Sequence, residues 1–345
     1  MITTNNQLKA FIAAIALISI GVFSWEMYLR SKDLHPAYND GPEAWAHIRK
    51  EANLPKEKTT VFIGSSRIKF DLDLETWKEI TGDHPVQLAC VGSSPIPALN
   101  HLAQDSMFKG KLIVDVTEPL FFSFDSDKRP NAGIKYFKEE TYAQWASYYI
   151  DFFLQSKFIL LDKENFSLNA MIDKWPIPMR KGVDPPIFFP VEFERVNAER
   201  QAMMTDRFAS DTSQTKIVKD LWKLFGDFAK KAPPTPPQKI DSLIVDIKIQ
   251  TDKIKSRGGE VIFVRTPSSG PLYEGEKMGF PRDKYWQRLL DSTHCQGIHF
   301  ADYPDLTSLI CPENSHLNQS DAKFFTQKFI DILRTQIGWK LESKI

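Results

Sequence analysis

The chain has 345 residues, with 44 Lys and Arg balanced by 44 Asp and Glu. That length suits one large domain with insertions, or two domains, and the charge balance gives no footprint for nucleic acid. Phe is frequent (25) and Gly modest (16), which excludes collagen-like and disordered classes and leaves apolar mass for a sizeable core.

The first element is the uncharged apolar run Ala10–Trp25. Extended to Leu29 it reaches the ~20 residues a helix needs to cross a bilayer. Lys9 can snorkel at one end, and Trp25 and Tyr28 suit an interface. No small-residue cleavage pattern follows, so an uncleaved anchor is expected over a cleaved signal peptide or a buried core helix. Lys9 and the amino terminus stand against Arg30 and Lys32, so charge alone does not orient the helix.

After the anchor, residues 41–54 have helical spacing. Residues 59–64, 86–90, 111–116 and 260–265 are short, nearly continuous apolar runs, as in strands buried on both faces of a parallel sheet. Helical patterns fall between them at 74–81, 96–108 and 238–256. In the last, Ile240, Leu243, Ile244, Ile247 and Ile254 share a face. A C-terminal helix is expected over 319–337, with Phe324, Phe325, Phe329 and Leu333 facing the core. Strands alternating with helices predict an α/β fold: three layers, α/β/α, around a mostly parallel, flavodoxin-like sheet.

Between 120 and 238 the alternation stops. Residues 140–162 read as aromatic and helical, and proline-rich stretches at 175–190 and 232–237 bracket further helical material around 191–230. The expected organisation is an anchor at 1–32, an α/β domain in two parts at 33–119 and 239–345, and an inserted cap at 120–238. The aromatic group at 134–153 suits core or membrane-surface packing better than sugar stacking. Cys90, Cys295 and Cys311 are too few for a disulfide framework; Cys295 and Cys311 either pair or stay as buried thiols. No CxxC or His/Cys cluster suggests a metal, and no cofactor is expected.

In an open parallel sheet, ligands bind beyond the carboxyl ends of the strands. Gly64-Ser65-Ser66-Arg67 follows the first strand and Gly92-Ser93-Ser94-Pro95 the second. A serine hydroxyl needs a base to become a nucleophile. His316 sits in a polar loop directly before the last helix, with Glu313 three residues upstream. Such a turn can hold the carboxylate against Nδ1 and leave Nε2 for the nucleophile. Ser93 and Ser94 are rival hydroxyls, although Ser94 is well placed to cap a helix. Asp302 and Asp305 are alternative carboxylates.

These blocks resemble the SGNH/GDSL hydrolases, over residues 59–118 and 258–335. That family carries its nucleophilic serine in a Gly-Asp-Ser block after the first strand, a glycine block after the second, Gly-x-Asn-Asp after the third, and Asp-x-x-His before the last helix. The matches here are Gly64-Ser65-Ser66, Gly92 and Glu313-x-x-His316. The resemblance implies Ser66 as nucleophile, His316 as general base, Glu313 as its orienting acid, and the Ser66 and Gly92 N–H groups as oxyanion donors. The third block, residues 114–122, lacks the asparagine. Thr117 or Glu118 stands there, and Arg67 and Arg265 are the expected substitutes. Arg265 either binds an anionic group or pairs with Glu118. Gly-Ser-Ser with an anchor is more similar to bacterial envelope branches than to secreted lipases. This implies a single-pass inner-membrane protein with its soluble part in the periplasm or outside the cell. Its expected partner is an acylated carbohydrate or envelope polymer, with the insertion offering a surface for a protein partner. The expected reaction is ester hydrolysis or O-acyl transfer. The competing reading is an inactive relative that binds such a polymer or a partner protein.

Overall fold

A computed structural model describes residues 4–175, 187–231, 233, 235–339 and 341. The chain divides into two compact units: residues 1–39 with 142–185, and residues 40–141 with 186–345. Most of the proline stretch at 175–190 lies outside the described residues.

The first unit opens with helix α1 (Thr4–Ser31). Its segment Asn6–Ser31 is long and apolar enough to cross a membrane, with a mean hydropathy of 2.0. Its apolar core is exposed along its length, so it is not the buried core helix of a soluble domain.

The second unit begins with α2 (Pro42–Glu51), followed by β1 (Thr59–Ile63), α3 (Ser66–Asp71), α4 (Leu74–Thr81) and β2 (His84–Gln87). Next come α5 (Ile96–Gln104), β3 (Lys111–Asp115), α6 (Glu118–Phe121) and α7 (Lys128–Glu139). The chain then enters the first unit through α8 (Tyr142–Gln155) and α9 (Leu168–Asp173). It returns with a small antiparallel pair, β4 (Arg195–Val196) and β5 (Ala202–Met203), then α10 (Asp206–Ser210) and α11 (Thr212–Lys231). The remaining elements are α12 (Pro237–Ser256), β6 (Glu260–Arg265), α13 (Gly270–Gly279), α14 (Arg288–Thr293), β7 (Gln296–His299), α15 (Pro304–Thr307) and α16 (Gln319–Ile332).

The central sheet has the order β2-β1-β3-β6-β7, with every pairing parallel. The period of two along each strand splits its side chains between two cores. Val61, Ile63, Leu112, Val114 and Phe263 pack with the helices α2, α5, α12 and α14. Phe62, Ile113, Ile262 and Val264 pack with α4 and α16. This is the three-layer α/β/α fold expected from the apolar runs. The chain leaves β1 toward β2 and later returns to β3 on its other side, so the strand order reverses between β1 and β3. A crevice for a ligand opens at such a point.

Two details depart from the expected elements. The sheet has a fifth strand, β7, whose Gln-Gly-Ile-His sequence is too short and polar to stand out. Phe324 on α16 is not core: it is 37% exposed, with Lys328 over its ring. The amphipathic face of α12 is buried at all five expected positions. Cys90, Cys295 and Cys311 are free buried thiols.

Candidate active site

The end of β1 makes a sharp turn because Gly64 has no side chain. A Cβ there would lie 2.6 Å from Asp115 Cβ and 2.6 Å from Ile68 Cγ2. Ser65 then caps α3, its Oγ accepting the Arg67 N–H. Ser66 is thereby the first residue of the helix, where a backbone N–H has no intrahelical acceptor. Ser65 and Ser66 play different parts. Ser65 is buried, with its Oγ 2.6 Å from Thr117 Oγ1 and 3.2 Å from Asp115 Oδ2, whereas Ser66 is only half-buried.

Ser66 Oγ lies 2.8 Å from His316 Nε2. On the far side of the ring, His316 Nδ1 lies 2.9 Å from Glu313 Oε1. Glu313 and His316 are both buried, and the three side chains form a continuous Ser–His–Glu chain. The Glu313 oxygen accepts from Nδ1–H, which leaves Nε2 as the acceptor for the Ser66 hydroxyl. The longer glutamate is accommodated by local wrapping. Oε1 also accepts the backbone N–H groups of Ser315 (3.2 Å) and His316 (2.6 Å). Oε2 accepts the indole N–H of Trp222, from α11. Phe70, Phe193 and Trp222 pack around the imidazole, with ring centroids 4.4, 5.6 and 5.9 Å away. Phe193 and Trp222 come from the segment that interrupts the sheet, so that segment builds one wall of the site.

The histidine loop is pinned from two sides. Asp71, at the end of α3, accepts the Leu317 N–H at 2.9 Å. Burial pushes the Asp71 carboxyl well above its ordinary range. From the loop after β6, the Ser269 N–H donates to the Asn314 carbonyl at 2.8 Å. Asn314 itself takes a left-handed φ of 81°, a conformation asparagine tolerates better than most residues.

The glycine block after β2 is tied to the serine turn, because the Cys90 N–H donates to the Gly64 carbonyl at 3.1 Å. Gly92 has φ +60°, which a residue with a side chain adopts only at a cost. Ser93 Oγ donates to the Val91 carbonyl and Ser94 Oγ accepts the Ile96 N–H, so both rival hydroxyls are engaged in loop structure.

In the third block, Asp115 is a hub that the sequence pattern does not single out. Its Oδ2 accepts from Thr117 Oγ1 (2.9 Å) and Ser65 Oγ, and its Oδ1 from Thr266 Oγ1 (3.2 Å). The ends of β1, β3 and β6 are thus laced through one buried carboxylate, which burial raises above its usual range. The only sequence signal is a lone acid closing an apolar strand.

Arg67 and Arg265 are both buried and both paired. Arg265 Nε lies 3.1 Å from Glu118, and its Nη2 2.5 Å from Glu276. The Arg265–Glu118 pair is one of the two arrangements expected for that arginine. Arg67 pairs with the other Glu276 oxygen and donates from Nε to Ser315 Oγ at 3.3 Å. Its Nη1 is buried without a hydrogen-bond partner among the described residues. Burial alone would raise the Glu276 carboxyl, but Arg67 and Arg265 hold it down to about 2. Glu276 was not among the expected site residues; it lies on α13, away from any strand end. Asp302 pairs with Arg282 and Asp305 with Lys328, and neither carries a hydrogen bond to His316.

A separate cavity of about 180 Å³ lies beside the end of β2, lined by Asp40, Trp45, Cys90, Lys128, Arg129 and Arg200. None of the Ser–His–Glu side chains lines it. Among the described residues, no group of three or more His, Cys, Asp or Glu side chains could hold a metal ion. No family model matches this chain, and no curated protein matches it.

Proposed function

We propose that the protein is a membrane-anchored serine esterase or O-acyltransferase of SGNH type, acting on an acylated envelope polymer or carbohydrate. The observation that carries this reading is the hydrogen-bonded chain from Ser66 through His316 to Glu313 at the switch point of the sheet. In this reading Ser66 Oγ attacks the ester carbonyl carbon as His316 Nε2 takes the hydroxyl proton. The ester C–O bond then breaks and the proton passes from Nε2 to the departing alcohol. Water or a sugar hydroxyl attacks the acyl-Ser66 ester in the second half, and its proton returns through His316 to Ser66.

The N–H groups of Ser66 and Gly92 serve as oxyanion donors; one such donor is worth on the order of 3 kcal/mol in acyl-transfer enzymes. Arg67 Nη1 supplies the further donor that the missing asparagine would have provided. Glu118 is neutralised for this purpose by Arg265. In the proposed topology α1 spans the inner membrane and the α/β unit works in the periplasm or outside the cell.

A specific test is labelling of the full-length protein in detergent with a fluorophosphonate, followed by peptide mapping. Covalent adduct on Ser66 is the expected result. Its absence from a folded protein would overturn the enzyme reading. It would favour the second one, a binding protein for the same polymers or for a partner at the insertion. The altered third block, with Thr117 and Glu118 in place of an asparagine donor, is the observation on that side.

A further inference from the structure

In the first unit the end of α1 is fixed to the segment that follows α8. Glu26 and Leu29 are buried, whereas the apolar residues from Leu8 to Phe23 are exposed. The Glu26 carboxylate accepts the Ile159 N–H at 3.2 Å and the Leu160 N–H at 3.1 Å. Arg30 donates to the Lys157 carbonyl at 2.6 Å and pairs with Glu26 at 2.7 Å. These contacts hold the turn after α8 at the level where the apolar span gives way to Glu26, Arg30 and Lys32.

Helix α8 has two apolar faces and a single charge, Asp151. One face is inward: Tyr148 is buried and Phe152 packs on Tyr38, with ring centroids 4.7 Å apart. The other face carries Tyr142, Trp145, Tyr149, Ile150 and Phe153, all exposed. Tyr142, Trp145, Tyr149 and Phe153 recur at steps of three or four residues, with Ile150 beside them, which makes a helical stripe. Leu168 and Ile172 of α9, and Trp175 just beyond it, are exposed apolar side chains of the same unit. Scattered apolar side chains on a surface need no explanation; a contiguous aromatic stripe, edged by Lys157 over the Phe153 ring at 5.7 Å, does.

We propose that α8 and α9 lie in the interfacial layer of the lipid bilayer, with this stripe turned into the headgroup–acyl boundary. The inference rests on the membrane-anchor reading of α1. The bilayer is favoured as occupant by continuity, because the stripe belongs to the unit whose α1 carries the membrane span. The chemistry agrees: tryptophan and tyrosine concentrate at membrane interfaces, and an apolar helix face lying in the interface plane buries there. The anchor is then a spanning helix with an attached interfacial platform rather than a lone helix on a free tether.

The test uses the full chain in vesicles of phosphatidylcholine and phosphatidylglycerol. Cysteine is introduced singly at Leu17, Ile150 or Phe153 and labelled with the fluorophore NBD; the native cysteines are buried. Each label is exposed to aqueous iodide and to lipids carrying a nitroxide at shallow or deep positions. The expected result is deep-nitroxide quenching at Leu17→Cys and shallow-nitroxide quenching at Ile150→Cys and Phe153→Cys, at least twofold over iodide quenching. Leu17→Cys quenched by deep lipid while positions 150 and 153 answer only to iodide overturns the platform and leaves the anchor standing. Positions 150 and 153 shielded from both quenchers also overturns it, since a second copy or a protein partner then covers the face. Leu17→Cys answering to iodide overturns the anchor reading itself, and the platform with it.

Discussion

Trp222 donates its indole N–H to Glu313 Oε2, so a side chain from the segment that interrupts the sheet completes the hydrogen bonding of the buried carboxylate behind His316. A hydrogen bond to a charged group is worth about 1.5–3 kcal/mol, or roughly 10- to 100-fold in a rate that depends on it. Trp222→Phe is therefore expected to lower kcat on a nitrophenyl ester by about that factor with KM little changed. Unchanged kcat across the pH profile would show that Trp222 only packs against the ring.

Ser65 and Ser66 separate by function. Ser66→Ala is expected to abolish fluorophosphonate labelling while leaving thermal stability within about 0.5 kcal/mol, as for most half-exposed polar side chains. Ser65→Ala removes a helix cap and a buried hydrogen bond to the Asp115–Thr117 pair. It is expected to cost about 1–3 kcal/mol in chemical denaturation and to retain labelling. Labelling lost in Ser65→Ala and retained in Ser66→Ala would reverse the assignment.

Gly64→Ala places a Cβ against Asp115 and Ile68 at 2.6 Å, closer than atoms can sit. Overpacking of this kind costs about 1–3 kcal/mol or more, and it displaces the turn that aims Ser66. Both the unfolding midpoint and the labelling rate should fall together. A variant with native stability and activity would mean that the β1–β3 approach is looser than these distances.

Asp71 reports on pH through its raised carboxyl. A carboxyl raised in the folded state favours folding at low pH, and its ionisation weakens folding as pH rises above the unfolded value of about 3.9. Asp71→Asn cannot ionise and keeps an acceptor for the Leu317 N–H. Its stability advantage over wild type is expected at pH 7 and should vanish by about pH 4. Denaturant unfolding at the two pH values measures this; an advantage equal at both would rule out the titration.

Glu276 has the opposite sign. Its carboxyl is held down to about 2 by Arg67 and Arg265, so it stabilises the fold above the unfolded value of about 4.3 and loses that contribution as pH falls toward 2. Glu276→Gln leaves two buried guanidinium groups short of a counter-charge and is expected to cost on the order of 3–5 kcal/mol at pH 7. The gap to wild type should narrow below pH 4. A constant gap would mean that the loss is one of shape rather than charge.

The sheet was legible in the sequence because strands buried on both faces carry continuous apolar runs, as Val61–Ile63 does in the wholly buried β1 and Leu112–Val114 in β3. The edge strand β7 escaped that rule because its opening residues are not wholly buried. The helix α12 was legible through its period, whereas Phe324 belonged to the right pattern on a helix that turns it outward. In the site, Glu313-x-x-His316 was legible because both residues share one turn and their contact is local. Asp71, Asp115, Trp222 and Glu276 carry no such signal. Their partners lie far along the chain, and only folding brings Leu317, Ser65, Glu313 and Arg67 to them.

By itself the sequence determined the local terms: an apolar span long enough for a bilayer, the parallel-strand runs, a glycine where β1 must turn, and a histidine with its acid in one loop. These follow from periodicity, length and short-range geometry. Tertiary structure alone set the geometry that brings Ser66, the serine the resemblance implied, to His316 and holds Ser65 against Asp115 and Thr117. It also decided that Arg67 and Arg265 share Glu276 and that the inserted segment closes one side of the imidazole. The physical reason is that hydrogen bonds and ion pairs depend on distances of a few ångströms, and the fold, not the order of residues, sets those distances across some 250 positions of chain.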